Sequence, residues 1–180
     1  NLYFGHHTVV RLNQDWTDST LLTSTLTFGS STSVSNEVMY LDLGGKTIDL
    51  GSSGAGIALQ GASGSELHIM NGRITNLMGS KISAAAGNII VFKDVELVLG
   101  GTYTFANAAL NFYGNCSISG GSDAVFNNTS TASIVIAANA KRTIKDGAVY
   151  SHNSDGESNF TLATATAQLE IVGGTFRRPD

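Results

Sequence analysis

Large apolar residues recur along the chain in a fixed pattern. The segments LDLGGKTI, LHIMNGRI, IVFKDVEL and LEIVGGTF begin at residues 41, 67, 90 and 169, and each carries such residues at its first, third and eighth positions. The first two positions face the same way in a strand, because successive side chains of a strand point to opposite sides. The fifth position is a residue that tolerates a sharp corner. These corner residues are Gly45, Asn71, Asp94 and Gly173.

The spacing of the segments predicts a solenoid. With two shorter matches at Leu110 and Ile134, the segments start 26, 23, 20, 24 and 35 residues apart. A second apolar position follows each of the first five starts by 15 or 16 residues. Two constant offsets in repeats of variable length are typical of stacked coils whose loops absorb the difference. The second positions are Ile57, Ile82, Phe105, Phe126 and Tyr150.

We therefore predict an all-β, single-stranded parallel β-helix with about six coils of 20–26 residues over residues 41–180, the last coil incomplete. LDLGGKTI would pair in parallel with LHIMNGRI, one coil later and about 4.8 Å away. Residues 8–40 are predicted to form an N-terminal cap or an irregular first coil. Residues 1–7, NLYFGHH, resemble a tobacco-etch-virus protease site without its glutamine, which predicts an expression-tag remnant.

The repeat resembles the pectate-lyase-like right-handed β-helix superfamily. It is similar in particular to surface and secreted proteins of host-associated bacteria, including polymorphic autotransporters. FYGN at 112–115 matches their FxxN element once, whereas GGSDA at 120–124 only approaches their GGA[ILV] element. The resemblance, together with the lack of a hexapeptide repeat, implies a right-handed coil and an extracellular or cell-surface location.

Composition excludes several classes of partner. A net charge of −4 and a pI near 5.4 argue against nucleic acid and anionic lipid. The chain has no run of about 18 apolar residues, which argues against membrane insertion. The lone cysteine, Cys116, cannot form an internal disulfide and is expected to be buried packing.

Equal offsets on neighbouring coils would stack outward side chains in ladders. One predicted ladder places Asp42 beside His68, which is a candidate general acid–base pair or simply two solvated strand residues. A second places Arg73 over Glu96, which could anchor an acidic sugar or form a surface ion pair. The predicted ligand-facing positions are Arg73, Glu96, Asn111 and Glu170. Asn107 and Asn128 are predicted to stack as an asparagine ladder at a corner.

The chemistry of known β-helix enzymes is not matched by the sequence. Pectate lyases need clustered carboxylates for calcium, and β-helical glycosidases need two or three convergent carboxylates. This chain offers only NSD at 153–155, within the loop SHNSDGESN, and no cofactor or metal motif. The catalytic prediction is therefore none beyond the candidates Asp42 and His68.

The leading hypothesis is a non-enzymatic structural or adhesive module of a cell-surface or secreted protein. Its expected partners are carbohydrate or a host-surface protein, with end-to-end or lateral self-association as a further prediction. Two alternatives are a fragment of a carbohydrate-active β-helix enzyme and a segment of a phage-type trimeric tailspike or fibre.

Overall fold

The structure is a computed structural model. It describes residues 3–17, 24–29, 33–51, 56–129, 134–136, 138–139, 141–145, 148–152, 161–162, 164–173 and 175–177. Every regular element in these ranges is a β-strand, and every strand pairing is parallel.

The strands are short except where two or three faces of one coil run together. The first eight are β1 (Tyr3–Phe4), β2 (Val9–Arg11), β3 (Leu26–Phe28), β4 (Val38–Asp42), β5 (Thr47–Asp49), β6 (Ile57–Leu59), β7 (Glu66–Gly79) and β8 (Ile82–Ala84). The next five are β9 (Ile89–Phe105), β10 (Ala109–Tyr113), β11 (Asn115–Gly120), β12 (Ala124–Asn128) and β13 (Val135–Ile136). The last five are β14 (Lys141–Ile144), β15 (Ala148–His152), β16 (Thr161–Leu162), β17 (Gln168–Ile171) and β18 (Thr175–Arg177).

These strands stack into three faces, so the predicted all-β parallel solenoid is confirmed. The first face contains β2, β4, the first parts of β7 and β9, then β10, β13 and β16. The second contains β5, the middle of β7 and of β9, then β11, β14 and β17. The third begins with β1, β3, β6 and β8 and continues with the end of β9, β12, β15 and β18.

The regular part of the solenoid is about four turns long, somewhat less than the predicted six coils. The prediction that LEIVGGTF begins a coil is wrong. Leu169 pairs with Arg142 and Ile171 with Ile144, so this segment belongs to the second face. Thr161–Leu162, of only two residues, holds the first-face position of that coil.

The core lies inside the coils and takes residues from all three faces; two of its apolar ladders run along the first and second faces. Each ladder takes one inward residue from every coil, and the middle members are completely buried. A buried leucine or isoleucine stabilises the fold by about 1.5–3 kcal/mol, so the ladders hold the coils together. The first inward ladder is Val10, Leu41, Ile69, Phe92, Phe112, Ile136 and Leu162. The second inward ladder is Trp16, Ile48, Ile74, Leu97, Ile118, Ile144 and Ile171.

The predicted register on the first face is wrong by two residues at one junction. Leu41 pairs with Ile69, and Leu67 pairs with Met39. The cause is the corner after β4, where a Gly44–Gly45 turn at φ 59° and 78° lengthens the path from the first face to the second. Two other predicted corner residues adopt positive φ, 60° at Asn71 and 55° at Asp94.

The third-face prediction holds for Ile57 with Ile82 and for Phe126 with Tyr150, and it fails at a junction between these two pairs. Ile57 pairs with Ile82, but Phe126 pairs with Tyr103 instead of Phe105. Asn128 therefore lies opposite Phe105 and His152, and the predicted stack of Asn107 on Asn128 is wrong.

A buried asparagine does satisfy backbone groups at this corner, one coil before Asn107. Asn88 accepts a hydrogen bond from the Ser65 amide at 3.1 Å and donates one to the Gly61 carbonyl at 3.2 Å. The Ser65 hydroxyl in turn accepts from the Glu37 amide at 3.2 Å. This polar chain links three coils at the corner that precedes the first face.

The residues before Leu41 continue the stacking. Val10 pairs with Leu41, and the Phe4 ring lies 5.0 Å from the Phe28 ring. The interpretation of residues 1–7 as a tag remnant and of residues 8–40 as a cap stays a prediction.

Candidate binding face

One set of outward residues on the second face forms a row, which we call the second-face row. Their positions alternate with the second inward ladder, so the same strands that build the core hold these side chains at fixed spacing. One residue comes from each coil, about 4.8 Å from the next. The row is Thr47, Arg73, Glu96, Ser117, Thr143 and Glu170.

The charged residues of this row form ion pairs with one another and with neighbouring lysines. Arg73 Nε lies 3.3 Å from Glu96 Oε2, as predicted, and Lys145 Nζ lies 3.7 Å from the other carboxylate oxygen. Lys141 forms an ion pair with Glu170. All of these side chains are substantially exposed, so each pair contributes only about 0.2–1 kcal/mol. The pairs therefore order polar groups at the surface more than they stabilise the fold.

A shallow groove of about 410 Å³ opens beside Glu96. Its depth follows from side-chain length, because Ser117 and Thr143 are short while Glu96 and Lys145 are long. Val95 and Cys116 form part of its wall from their buried inward positions. The polar residues that line it are Asp94, Glu96, Asn115, Ser117, Thr143 and Lys145.

The thiol beside this groove is held in its neutral form. Cys116 is 3% exposed, and burial raises the pKa of its thiol. Its sulfur lies 3.5 Å from the Phe92 carbonyl and 3.4 Å from the Tyr113 carbonyl. A protonated, enclosed thiol is a packing group, as the sequence predicted, and not an activated nucleophile.

Asp42 accepts hydrogen bonds at the corner between the first and second faces. Its Oδ1 accepts hydrogen bonds from the Gly44 amide at 2.9 Å and from Asn71 Nδ2 at 3.1 Å, and Arg11 Nε lies 3.5 Å from its Oδ2. Partial burial acts to raise the pKa of Asp42, but these hydrogen bonds and the arginine charge outweigh it and hold the pKa below its ordinary value.

The next corner repeats this arrangement. Asp49 Oδ1 accepts from the Gly51 amide at 2.8 Å and from Asn76 Nδ2 at 2.6 Å. Partial burial again acts to raise the pKa of Asp49, and the hydrogen bonds with the nearby Lys81 charge bring it below its ordinary value. Both aspartates are thus structural hydrogen-bond acceptors.

The predicted neighbours Asp42 and His68 are not adjacent. Asp42 pairs with Met70, whereas His68 pairs with Tyr40, and the two rings lie 5.1 Å apart. His68 Nε2 is 2.7 Å from Glu66 Oε2. The prediction was wrong by two residues in register. It therefore placed Asp42 opposite His68, where the structure has Tyr40.

The four predicted ligand-facing residues are divided between two faces. Arg73, Glu96 and Glu170 all belong to the second-face row. Asn111 lies on the first face, between Val91 and Val135. Glu170 lies on the second face because LEIVGGTF is a second-face segment.

Sequence reasoning missed a buried arginine. Arg142 is 0% exposed, and its guanidinium carbon lies 4.6 Å from the centre of the Phe112 ring and 5.6 Å from that of Phe126. A signal was present: Ile144 aligns with the buried Ile118 of the preceding coil, and a residue two positions earlier in a strand faces the same way as the aligned position.

Neither a metal cluster nor a membrane-spanning helix is found among the described residues. In the part of the chain that the structure describes, no three His, Cys, Asp or Glu residues are grouped so that they could hold a metal ion. Among the same residues, no helix is long and apolar enough to cross a membrane.

Comparison with protein-family models, curated proteins and solved structures gives no significant match for this chain. What the structure establishes is therefore a class of architecture, the parallel β-solenoid.

Proposed function

We propose that this chain is a non-enzymatic structural or adhesive module of a cell-surface or secreted protein. The observation that carries the proposal is the second-face row, where Arg73, Glu96 and Lys145 form a paired cluster beside hydroxyl-bearing side chains. A rigid row of donors and acceptors at about 4.8 Å spacing suits a hydroxyl-rich ligand. The resemblance to surface proteins of host-associated bacteria supports the same proposal.

We infer that a glycan is the ligand of the groove. Hydroxyl, amide, carboxylate and ammonium groups all line it, and sugars offer hydrogen-bond donors and acceptors to each of these groups. The carboxylates of Asp94 and Glu96 are balanced by Lys145 and by Arg73, which pairs with Glu96, so the groove has no strong preference for either sign of charge. Lys145 is the group through which an acidic sugar would gain extra affinity.

The test is binding to a panel of neutral and acidic polysaccharides by a surface-based assay. Lys145→Gln should weaken binding to acidic members by about tenfold, since it removes a charge-assisted hydrogen bond. Lys93→Gln is the matched control, because Lys93 is an exposed lysine on the first face. Equal effects of the two variants, or binding to no polysaccharide, would reject the groove as a glycan site.

A carbohydrate-active enzyme is the second candidate, and the contact between Glu66 and His68 favours it. A carboxylate 2.7 Å from an imidazole nitrogen can orient a histidine for proton transfer. Release of reducing ends from an acidic polysaccharide, lost in His68→Ala and retained in Lys145→Gln, would establish this reading over the adhesive one.

A trimeric fibre segment is the third candidate. Its support is the apolar character of the first face, where Val9 and Tyr113 are 63% and 40% exposed. Lateral packing of three copies would cover such residues. A stable trimer in solution that Tyr113→Lys disrupts would favour this candidate.

A further inference from the structure

The corner between the first and second faces favours asparagine at residue 71. Asn71 has a φ of 60°, in the left-handed region that asparagine adopts more readily than most residues. Its Nδ2 donates a hydrogen bond to Asp42 Oδ1 at 3.1 Å, and its carbonyl accepts one from the Gly45 amide at 2.6 Å. Asn71 is at the same time exposed to solvent. Water therefore reaches an asparagine that the corner favours.

The packing of two coils requires glycine at residue 72. A β-carbon at Gly72 would collide with the Leu43 side chain and with the Lys46 carbonyl oxygen, both on the preceding coil. Glycine is the residue that permits such a close approach. The corner and the packing together place asparagine directly before glycine. Asn71–Gly72 is the only Asn-Gly dipeptide in the sequence.

An Asn-Gly dipeptide is chemically labile, because glycine has no side chain to hinder attack of its backbone nitrogen on the asparagine amide. In this reaction the Gly72 nitrogen loses its proton and forms a bond to Asn71 Cγ. The bond from Cγ to Nδ2 breaks, and ammonia leaves with the proton. Water then opens the resulting succinimide ring at either carbonyl, which gives aspartate or isoaspartate. The reaction needs water and no other co-reactant.

We propose that Asn71 is a site of spontaneous deamidation in the folded chain. The new carboxylate takes the place of the amide that donates to Asp42, so a hydrogen bond between adjacent coils becomes a contact between like charges. Isoaspartate also adds a methylene group to the backbone at this corner, where the register between coils is set. Gly72 lines the groove beside Glu96, so the modification acts at the edge of the candidate binding face.

Asn76, at the next corner of the same coil, is a matched comparison. Its φ is 55°, and its Nδ2 donates to Asp49 Oδ1 at 2.6 Å. The residue that follows it is Leu77, which is completely buried. The leucine side chain hinders ring closure and is fixed in the core, and Asn76 itself is less exposed than Asn71. Asn76 should therefore stay intact under conditions that convert Asn71.

The test is incubation of the folded chain at mildly alkaline pH, followed by tryptic peptide mapping with mass spectrometry. Trypsin separates the two sites, because residues 47–73 and 74–81 form different peptides and each holds a single asparagine. The converted fraction of Asn71, as aspartate plus isoaspartate, should exceed that of Asn76 at least about tenfold. The urea-unfolded chain, incubated in parallel until its Asn71 is fully converted, sets the length of the experiment. An Asn71 that stays intact in the folded chain over this time, or equal conversion of the two asparagines, would overturn the proposal.

Two variants measure the consequence of the reaction for the corner. Asn71→Asp reproduces one product, and Asn71→Gly keeps a residue that tolerates positive φ while it removes the reactive amide. Both variants lose the hydrogen bond to Asp42, so a lower thermal midpoint for Asn71→Asp reports the repulsion between carboxylates. The midpoint of the parent should also fall during incubation, while that of Asn71→Gly stays constant. Equal midpoints of the two variants, or the same decline in the parent and in Asn71→Gly, would contradict the proposed effect on the corner.

Discussion

The guanidinium carbon of Arg142 lies 4.6 Å from the centre of the Phe112 ring, inside the solenoid. Arg142 takes the inward position that Cys116 holds one coil earlier, and it is completely buried. A cation over an aromatic face is attracted by the negative potential of the ring. The core of this coil is therefore held partly by electrostatic contacts with aromatic rings, whereas the coils before it are held by apolar packing.

Replacing this arginine should destabilise the fold. Arg142→Ala removes a large buried side chain and its contacts with Phe112, so the free energy of unfolding should fall by about 3 kcal/mol. Urea denaturation measures the change. Lys141→Ala, at the exposed neighbouring position, should change the stability by no more than about 0.5 kcal/mol. Similar losses in both variants would mean that Arg142 is not buried in solution.

The second inward ladder predicts a position-dependent effect of one substitution. Ile74→Ala should cost about 2–5 kcal/mol, since Ile74 is 0% exposed in the middle of the ladder. Ile171→Ala, in the same ladder but 51% exposed, should cost less than about 1 kcal/mol. Denaturant midpoints of the two variants check the ladder, and a larger loss for Ile171 would contradict it.

Any larger residue in place of Gly114, at the corner between β10 and β11, is predicted to destabilise the fold. Its φ is 61°, and a β-carbon there would lie 2.1 Å from Asp94 Oδ1. Gly114→Ala should therefore cost about 1–3 kcal/mol through backbone strain and collision. Gly121→Ala is the matched control, because a β-carbon at that position meets nothing within 4 Å. Thermal unfolding of both variants should show a lower midpoint for Gly114→Ala only.

The two corner aspartates predict a loss of stability in acid. The pKa of Asp42 and of Asp49 is lower in the fold than the ordinary 3.8, so the folded state holds their protons less tightly than the unfolded state does. Their contribution to stability is complete above that ordinary value and disappears as the pH falls through the lowered one.

Asp49→Asn should make the free energy of unfolding less dependent on pH in the acidic range. The free energy of unfolding of the parent should fall between pH 5 and pH 2 more steeply than that of the variant, measured by urea denaturation at each pH. Asp123→Asn serves as the control, because Asp123 is exposed in a turn. Identical acid limbs for the parent and Asp49→Asn would show that Asp49 does not accept these hydrogen bonds in solution.

The fold could be predicted from the sequence because the inward face of a strand repeats every two residues. The same periodicity explains the main error. A register shift of two residues keeps every inward side chain inward, so the apolar pattern alone cannot separate the pairing of Leu41 with Ile69 from its pairing with Leu67. Only the length of the Gly44–Gly45 corner distinguishes the two.

The ambiguity of register had its largest effect on the prediction of the candidate site. The pair Arg73 and Glu96 was predicted correctly, because both coils have similar corners between their first and second faces. The pair Asp42 and His68 was wrong because the shifted junction lies between them. The sequence reasoning missed Arg142 because a charged residue is expected at the surface, even where the strand pattern places it inward.

The most direct test of the solenoid is a methyl NOESY experiment on the second inward ladder. Ile74 should show strong contacts with both Ile48 and Leu97, its partners one coil before and one coil after. Ile48 and Leu97 should show no contact with each other, since two coil spacings separate them by about 10 Å. A direct contact between Ile48 and Leu97, or no contact from Ile74 to either, would contradict the parallel stacking on which the binding face depends.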